Sequence, residues 1–266
     1  FRIRAVAGTS IGSMVGIFYA SGRTPDQIEE IFSKVDQSKL YGWPLSDGPG
    51  LLGIRGIHDF LYANLVDSTF DEMKLPCAAV AVDLNSNREI IIKKGRVIDA
   101  ILGSIAVPGL FPPKDLGEYR LIDGGTLDPV PVRAARELAP GLPVIAVTLM
   151  APLDIPATPN GIVTLSASNR LAKQFSRMNI TQAFQVFADS VDIGSRQMSE
   201  LRLKLDEPDI VIRPKVRGIG LLDKIDIQEI ARRGELATEA ALPDIFRAVS
   251  TTAFIARRVR RVLRRV

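Results

Sequence analysis

The stretch that decides the fold is Val6-Ala7-Gly8-Thr9-Ser10-Ile11-Gly12-Ser13. An apolar run over residues 3–7 stops at Gly8, and a helix-compatible run of small and apolar residues begins at Ile11. A strand, a sharp turn and a helix in this order predict a G-x-S-x-G nucleophile elbow. We expect glycine at Gly8 and Gly12 because side chains there would crowd the strand and the helix that flank Ser10.

Ser10 is the candidate nucleophile of this elbow. Such a turn holds its serine in a strained backbone conformation and points the hydroxyl outward. The helix after Ser10 directs free N–H groups and the positive end of its dipole toward the same point, so the backbone N–H of Ile11 is a candidate oxyanion donor. A strand–helix turn without any chemistry fits the same five residues, and the motif alone leaves both interpretations open.

A serine needs an adjacent group that accepts its proton. His58, the single histidine of the chain, stands at the start of an amphipathic helical pattern, where a capping or surface role is more typical than catalysis. Asp123 is the better candidate, because it ends a short strand pattern and is followed by Gly124 and Gly125. We expect this turn to present the carboxylate to the serine of a neighbouring strand, and burial to raise its pKa. An Asp-Gly turn without function is the alternative.

Apolar and helical patterns alternate along the rest of the chain. Residues 76–84 form a continuous apolar run, typical of a strand buried on both faces, and residues 88–93 predict its hairpin partner. This alternation predicts an α/β fold with a layered, mostly parallel sheet flanked by helices. Apolar residues interleaved with glycine and proline over residues 40–54 either fold back into the core or line the mouth of an acyl pocket.

Several separate segments, in one order, resemble the patatin-like phospholipases. The similar segments are VAGTSIG at residues 6–12, SIAVPGLFPP at 104–113, IDGGTLDPVPV at 122–132, DIVIRP at 209–214 and GIG at 218–220. The resemblance implies a catalytic dyad of Ser10 and Asp123 without histidine, and an acyl-serine intermediate. It also implies a glycerophospholipid, a lysophospholipid or a neutral lipid ester as the substrate. Acyl transfer to an alcohol instead of water stays open.

The same family carries a Gly-rich oxyanion loop, with a strand and a helix, upstream of its nucleophile strand. The present chain begins at Phe1, inside the strand that leads to Ser10, and shows no such segment. We therefore expect a patatin-like fold with the first strand, helix and oxyanion loop missing, either because the sequence is a fragment or because the protein lacks these donors. The second case favours a different function, a non-catalytic module that binds lipid or membrane.

Composition and charge separate a body from a tail. The 266 residues are 46% hydrophobic and 24% charged, which is typical of a globular domain. We expect an acyl hydrolase domain over residues 1–250 and a basic amphipathic tail over 251–266. Residues 253–266 carry six arginines and no acid, a pattern that favours peripheral contact with an anionic membrane or docking on the body. The remaining 28 basic and 30 acidic residues give no reason to expect nucleic-acid binding.

The sequence contains no clustered His and Cys ligands, no P-loop and no dinucleotide fingerprint, so we expect neither a metal nor an organic cofactor. The single cysteine, Cys77, weakly favours a reducing compartment, and no apolar run reaches the length of a membrane span. We expect a protein of the cytoplasm or the membrane periphery. Secretion stays open because the sequence does not start with Met.

Overall fold

The computed structural model describes residues 1–40, 50–150, 152–153, 179–216, 219, 223–250 and 252, with the backbone alone at residues 179–185 and 188. The described strands are β1 (Val6–Thr9), β2 (Cys77–Asp83), β3 (Arg88–Ile92), β4 (Lys114–Leu116), β5 (Tyr119–Asp123), β6 (Ile145–Val147) and β7 (Ile210–Ile212). The described helices are α1 (Ile11–Ala20), α2 (Pro25–Ser33), α3 (Gln37–Leu40), α4 (Arg55–Leu65), α5 (Val97–Ser104), α6 (Val132–Leu138), α7 (Asn179–Asp206) and α8 (Ile227–Ala248). Short 3-10 turns span Phe70–Glu72 and Gly124–Thr126.

The main sheet is built around β2, and it is mixed. β1 runs parallel to β2, whereas β3 and β5 run antiparallel to it and β4 runs antiparallel to β5. The prediction of a mostly parallel sheet is therefore wrong for the described part of this sheet. The reason is the length of the connections: four residues join β2 to β3 and two join β4 to β5, and such short loops can only make hairpins. β6 and β7 form a separate parallel pair.

β1 and β5 share one edge of β2. β3 pairs with β2 from Ala79 to Asp83, and this range overlaps the β2 residues that pair with β1 and with β5. Since each edge of a strand accepts one partner at a given position, β1 and β5 both occupy the edge opposite β3. Thr9 lies opposite Val80, and Asp123 lies opposite the next residue, Ala81. The carboxyl ends of β1 and β5 therefore meet head to head, rather than side by side as neighbouring strands.

The core fixes this arrangement through β2, whose alternate residues Cys77, Ala79 and Ala81 belong to the main apolar cluster. Every residue of β2 is buried, as the continuous apolar run predicted. Residues of α1, α4 and α5 pack with β2 in one apolar cluster, which includes the fully buried Phe18 and Leu61. Among the described helices, none combines the length and the apolar composition needed to cross a bilayer. Residues 41–49 of the apolar loop and residues 253–266 of the basic tail lie outside the described residues.

Candidate active site

Ser10 occupies the turn between β1 and α1 in a backbone conformation that residues other than glycine rarely adopt. Its φ is 55° and its ψ is −129°, which places a non-glycine residue in the left-handed half of the map. Strain of this kind costs about 1–3 kcal/mol and persists only where surrounding contacts enforce it. The local geometry is the one that the G-x-S-x-G pattern predicted for an elbow.

The two elbow glycines have different structural roles. A Cβ atom at Gly8 would overlap the carbonyl group of Gly12 and lie 2.5 Å from the backbone nitrogen of Ser13, so the strand and the helix meet closely there. A Cβ atom at Gly12 would have no neighbour within 4 Å. The predicted crowding is therefore present at Gly8, and the prediction is wrong at Gly12, whose missing side chain points into open space while its backbone faces Gly8.

Ser104, at the end of α5, holds the elbow in place. The Ser10 N–H donates to the Ser104 Oγ at 2.9 Å, and the Ser104 hydroxyl donates to the Val80 carbonyl oxygen at 2.6 Å. Ser104 is completely buried. The sequence assigns Ser104 no role beyond its place in the segment at residues 104–113. A signal was present, because Ser104 ends a mostly apolar helix and a buried hydroxyl needs partners.

Asp123 lies beside the Ser10 hydroxyl. Its residue is 6% exposed, its N–H donates to the Ala106 carbonyl at 2.9 Å, and its Oδ1 accepts from the Gly125 N–H at 2.7 Å. Burial raises the pKa of Asp123 to about 6, while hydrogen bonds from the Ser10 side chain and from Gly125 act in the opposite direction. The two side chains that the sequence paired, 113 residues apart, thus lie close enough for Ser10 to lower the pKa of Asp123.

The two glycines after Asp123 allow this approach. A Cβ atom at Gly124 would overlap the Val80 carbonyl oxygen and lie 2.9 Å from the Thr9 Cγ2. A Cβ atom at Gly125 would lie 3.0 Å from the Asp123 Oδ1. The Gly-Gly turn therefore lets the end of β5 pack directly against β1 and β2, as expected from its sequence.

The first turn of α1 offers a place for a negative charge. The N–H groups of Ser13 and Met14 donate to the Ser10 carbonyl, whereas within the described residues the N–H of Ile11 donates no hydrogen bond. The Ile11 residue is 45% exposed, so the surface beside it is open to an incoming molecule. A free N–H at a helix start next to a serine hydroxyl has the position required of an oxyanion donor.

His58 has surroundings unlike those of Ser10. Its side chain in α4 is 43% exposed, its Nδ1 lies 3.4 Å from the Asp59 Oδ1, and its ring stacks on Tyr62. The structure shows no contact between His58 and Ser10 or Asp123 in the described part of the chain. In the same part of the chain, no group of three or more His, Cys, Asp or Glu side chains is arranged to hold a metal ion.

Comparison with known proteins points to one family. A family model described as patatin-like phospholipase matches residues 1–136, a range that contains the elbow, Ser104 and Asp123. An uncharacterized NTE family protein of Mycobacterium tuberculosis is 30% identical over 134 residues, which cover 50% of this chain and 37% of that protein. A second uncharacterized NTE family protein of the same species is 27% identical over 184 residues, covering 64% of this chain and 30% of that protein. An uncharacterized protein of Bacillus subtilis is 28% identical over 164 residues, covering 50% of this chain and 56% of that protein. The chain thus spans about a third of the length of the mycobacterial relatives.

Proposed function

Because the chain belongs to the patatin-like phospholipase family, we propose that it is a serine hydrolase of lipid esters, with Ser10 as the nucleophile and Asp123 as its general base. The observation that carries this proposal is the proximity of the Ser10 side chain to a buried carboxylate whose pKa is raised to about 6. A carboxylate with this pKa is ionised at neutral pH and binds a proton more readily than an ordinary aspartate does.

Each step of the proposed reaction assigns a role to Ser10, Asp123 or the Ile11 N–H. The Ser10 Oγ attacks the ester carbonyl carbon as its proton passes to Asp123, and the carbonyl oxygen becomes an oxyanion beside the Ile11 N–H. The C–O bond to the alcohol then breaks, and the departing alkoxide takes the proton from Asp123. A water molecule gives a proton to Asp123 and attacks the acyl-Ser10 ester. Breakdown of this second intermediate releases the fatty acid and returns the proton to Ser10.

The elbow geometry explains why a dyad suffices in this proposal. In this proposal Ser10 and Asp123 need no imidazole between them, because the Ser10 side chain already lies close enough to the buried carboxylate to lower its pKa. Holding reacting groups in place in this way supplies part of the barrier reduction that a third residue would otherwise provide. The exposed His58 has no part in these steps.

A fluorophosphonate probe tests the proposal on the full-length natural protein. Such a probe forms a bond only with an activated serine, so we expect one adduct, located at Ser10 by mass spectrometry of peptides. Ser10→Ala should abolish the adduct, and Asp123→Asn should slow its formation by about 10² or more. A folded wild-type protein that forms no adduct would refute the proposal and favour a non-catalytic lipid-binding module. Product analysis with added methanol separates hydrolysis from acyl transfer.

A further inference from the structure

A buried cluster of charges adjoins the turn that carries Asp123. Asp128 is completely buried, and its Oδ2 accepts from the Arg202 Nη2 of α7 at 2.6 Å. The same guanidinium group contacts the Glu89 Oε2 of β3 at 2.8 Å and the Asp206 Oδ2 at 3.3 Å. Arg133 contacts the other carboxylate oxygen of Glu89 at 3.1 Å. None of these five side chains takes part in the proposed chemistry.

Asp128 connects this cluster to both reactive residues through their immediate neighbours. Its carbonyl oxygen accepts from the Thr9 hydroxyl at 2.7 Å, and Thr9 directly precedes Ser10. Its N–H donates to the Gly124 carbonyl at 2.8 Å, and Gly124 directly follows Asp123. A single buried residue is therefore hydrogen-bonded on one side to the nucleophile strand and on the other to the base turn.

The ion pair is a poor source of stability taken by itself. Three carboxylates surround Arg202, and within the described residues the Asp128 Oδ1 has no hydrogen-bond partner. Burial raises the pKa of Asp128, and Arg202 counteracts that effect. Buried pairs with incomplete hydrogen bonding stabilise a fold no better than apolar side chains of similar size. The pair instead fixes the orientation of Asp128, because the planar guanidinium of Arg202 in α7 contacts Asp128 and the Glu89 carboxylate of β3 at the same time.

We propose that Asp128 and Arg202 are positioning residues for the dyad, and this inference rests on the proposed function of Ser10 and Asp123. The pair anchors residues 124–128 to α7 and β3, and through Thr9 it anchors the elbow. The Ser10 hydroxyl and the Asp123 carboxylate thereby keep their mutual distance and angle. A displacement of about 1 Å at reacting groups lowers a rate by about 10², so a loosened turn should act mainly on the chemical step.

The test compares acylation of Ser10 by a fluorophosphonate in four folded variants of the full-length protein. The double variant Asp128→Asn/Arg202→Met removes both charges of the ion pair. Glu89 keeps its contact with Arg133, and Asp206 loses its contact with Arg202. Asp128→Asn alone keeps the side-chain shape and both backbone hydrogen bonds, and it replaces the double variant if that protein does not fold. Arg202→Lys keeps the positive charge. Arg213→Met is the matched control, because it breaks another ion pair with α7, Arg213 to Glu200 at 2.7 Å, away from Asp128.

We expect the double variant to lose about 10- to 100-fold in the rate constant of acylation at saturating probe, with little change in probe affinity. The acidic midpoint of its rate profile should move below 6, because a loosened turn admits water to Asp123. Arg202→Lys should recover only part of the rate, because its ammonium group keeps the charge but lacks the planar fork that contacts Asp128 and Glu89 together. Arg213→Met should lower the unfolding temperature while its rate constant and midpoint stay unchanged.

A folded double variant that acylates within two-fold of the wild type, with the same midpoint, would overturn the positioning role. Hydrogen exchange separates this failure from a failure of the proposed function. The Gly125 amide donates to Asp123, and its protection should fall in the double variant but not in Arg213→Met. If the wild type forms no adduct, the proposed function is refuted, and unchanged Gly125 protection in the double variant would refute the positioning role as well.

Discussion

Replacing Asp123 by asparagine should slow acylation by about 10² or more and, at neutral pH, stabilise the fold. Asparagine keeps an oxygen that accepts from the Gly125 N–H, and its amide can donate to the Ser10 Oγ, so the local hydrogen bonds survive. What it removes is a carboxylate whose charge is disfavoured by burial. The variant should therefore lose acylation rate and gain stability. An aspartate that only caps a turn would not produce this combination.

The size of the stabilisation follows from the pKa of Asp123, which is about 6 in the folded protein against an ordinary value of 3.8. Below about pH 4 both states carry the proton, and the carboxyl group does not affect the free energy of unfolding. Between pH 4 and 6 the unfolded chain releases the proton while the folded protein keeps it, so wild-type stability falls as pH rises. Above pH 6 the free energy of unfolding falls no further, and it stays lower by about 3 kcal/mol for a pKa shift of about 2 units.

Urea unfolding followed by circular dichroism, from pH 4 to 7.5, measures this difference between Asp123→Asn and the wild type. The advantage of the variant should grow by about 3 kcal/mol over this range. In the wild type, labelling of Ser10 should fall tenfold per pH unit below about 6.

Asp83→Asn is a control of opposite sign, because hydrogen bonds from Ser86 and Arg120 lower the pKa of Asp83 to about 2. The free energy of unfolding of the wild type should therefore rise relative to that of Asp83→Asn as pH rises from 2 to 4. Parallel stability curves for Asp123→Asn and the wild type would refute the buried base.

Four further substitutions test the geometry around Ser10 and Asp123. Gly124→Ala places a methyl group against the Val80 carbonyl oxygen and should lower the unfolding temperature by about 3–8 °C, whereas Gly12→Ala, in open space, should change it by less than about 2 °C. Ser104→Ala leaves the Ser10 N–H and the Val80 carbonyl without partners and should cost about 2–5 kcal/mol in urea unfolding and slow labelling; unchanged labelling would contradict its role at the elbow. His58→Ala should label within two-fold of the wild type, and a folded but unreactive variant would refute the dyad without histidine.

Local patterns predicted the parts of the site but not how they are joined. The elbow at Ser10 and the buried strand β2 follow from glycine spacing and apolar runs, which act over a few residues. The β4–β5 hairpin has a local signal, because Gly117, with φ at 60°, lies in the two-residue turn that pairs these strands antiparallel. That turn does not set the direction of β5 against β2. Arg202 lies 74 residues from Asp128, and no local pattern connects a charge on a late helix with a turn so far away.

The antiparallel direction of β5 is what brings Ser10 and Asp123 close to each other. β1 runs parallel to β2 and ends opposite Val80, so the partner of Ser10 must come from a chain end near Ala81 on the same edge. In the observed direction β5 ends there, and Asp123 lies opposite Ala81. A parallel β5 on the same residues would end opposite Asp83, two residues further along, and would carry its last carboxylate about 7 Å away from the elbow. The alternation of strands and helices in the sequence did not predict this mixed sheet. The mixed sheet is nevertheless what places the Ser10 and Asp123 side chains close together with no histidine between them.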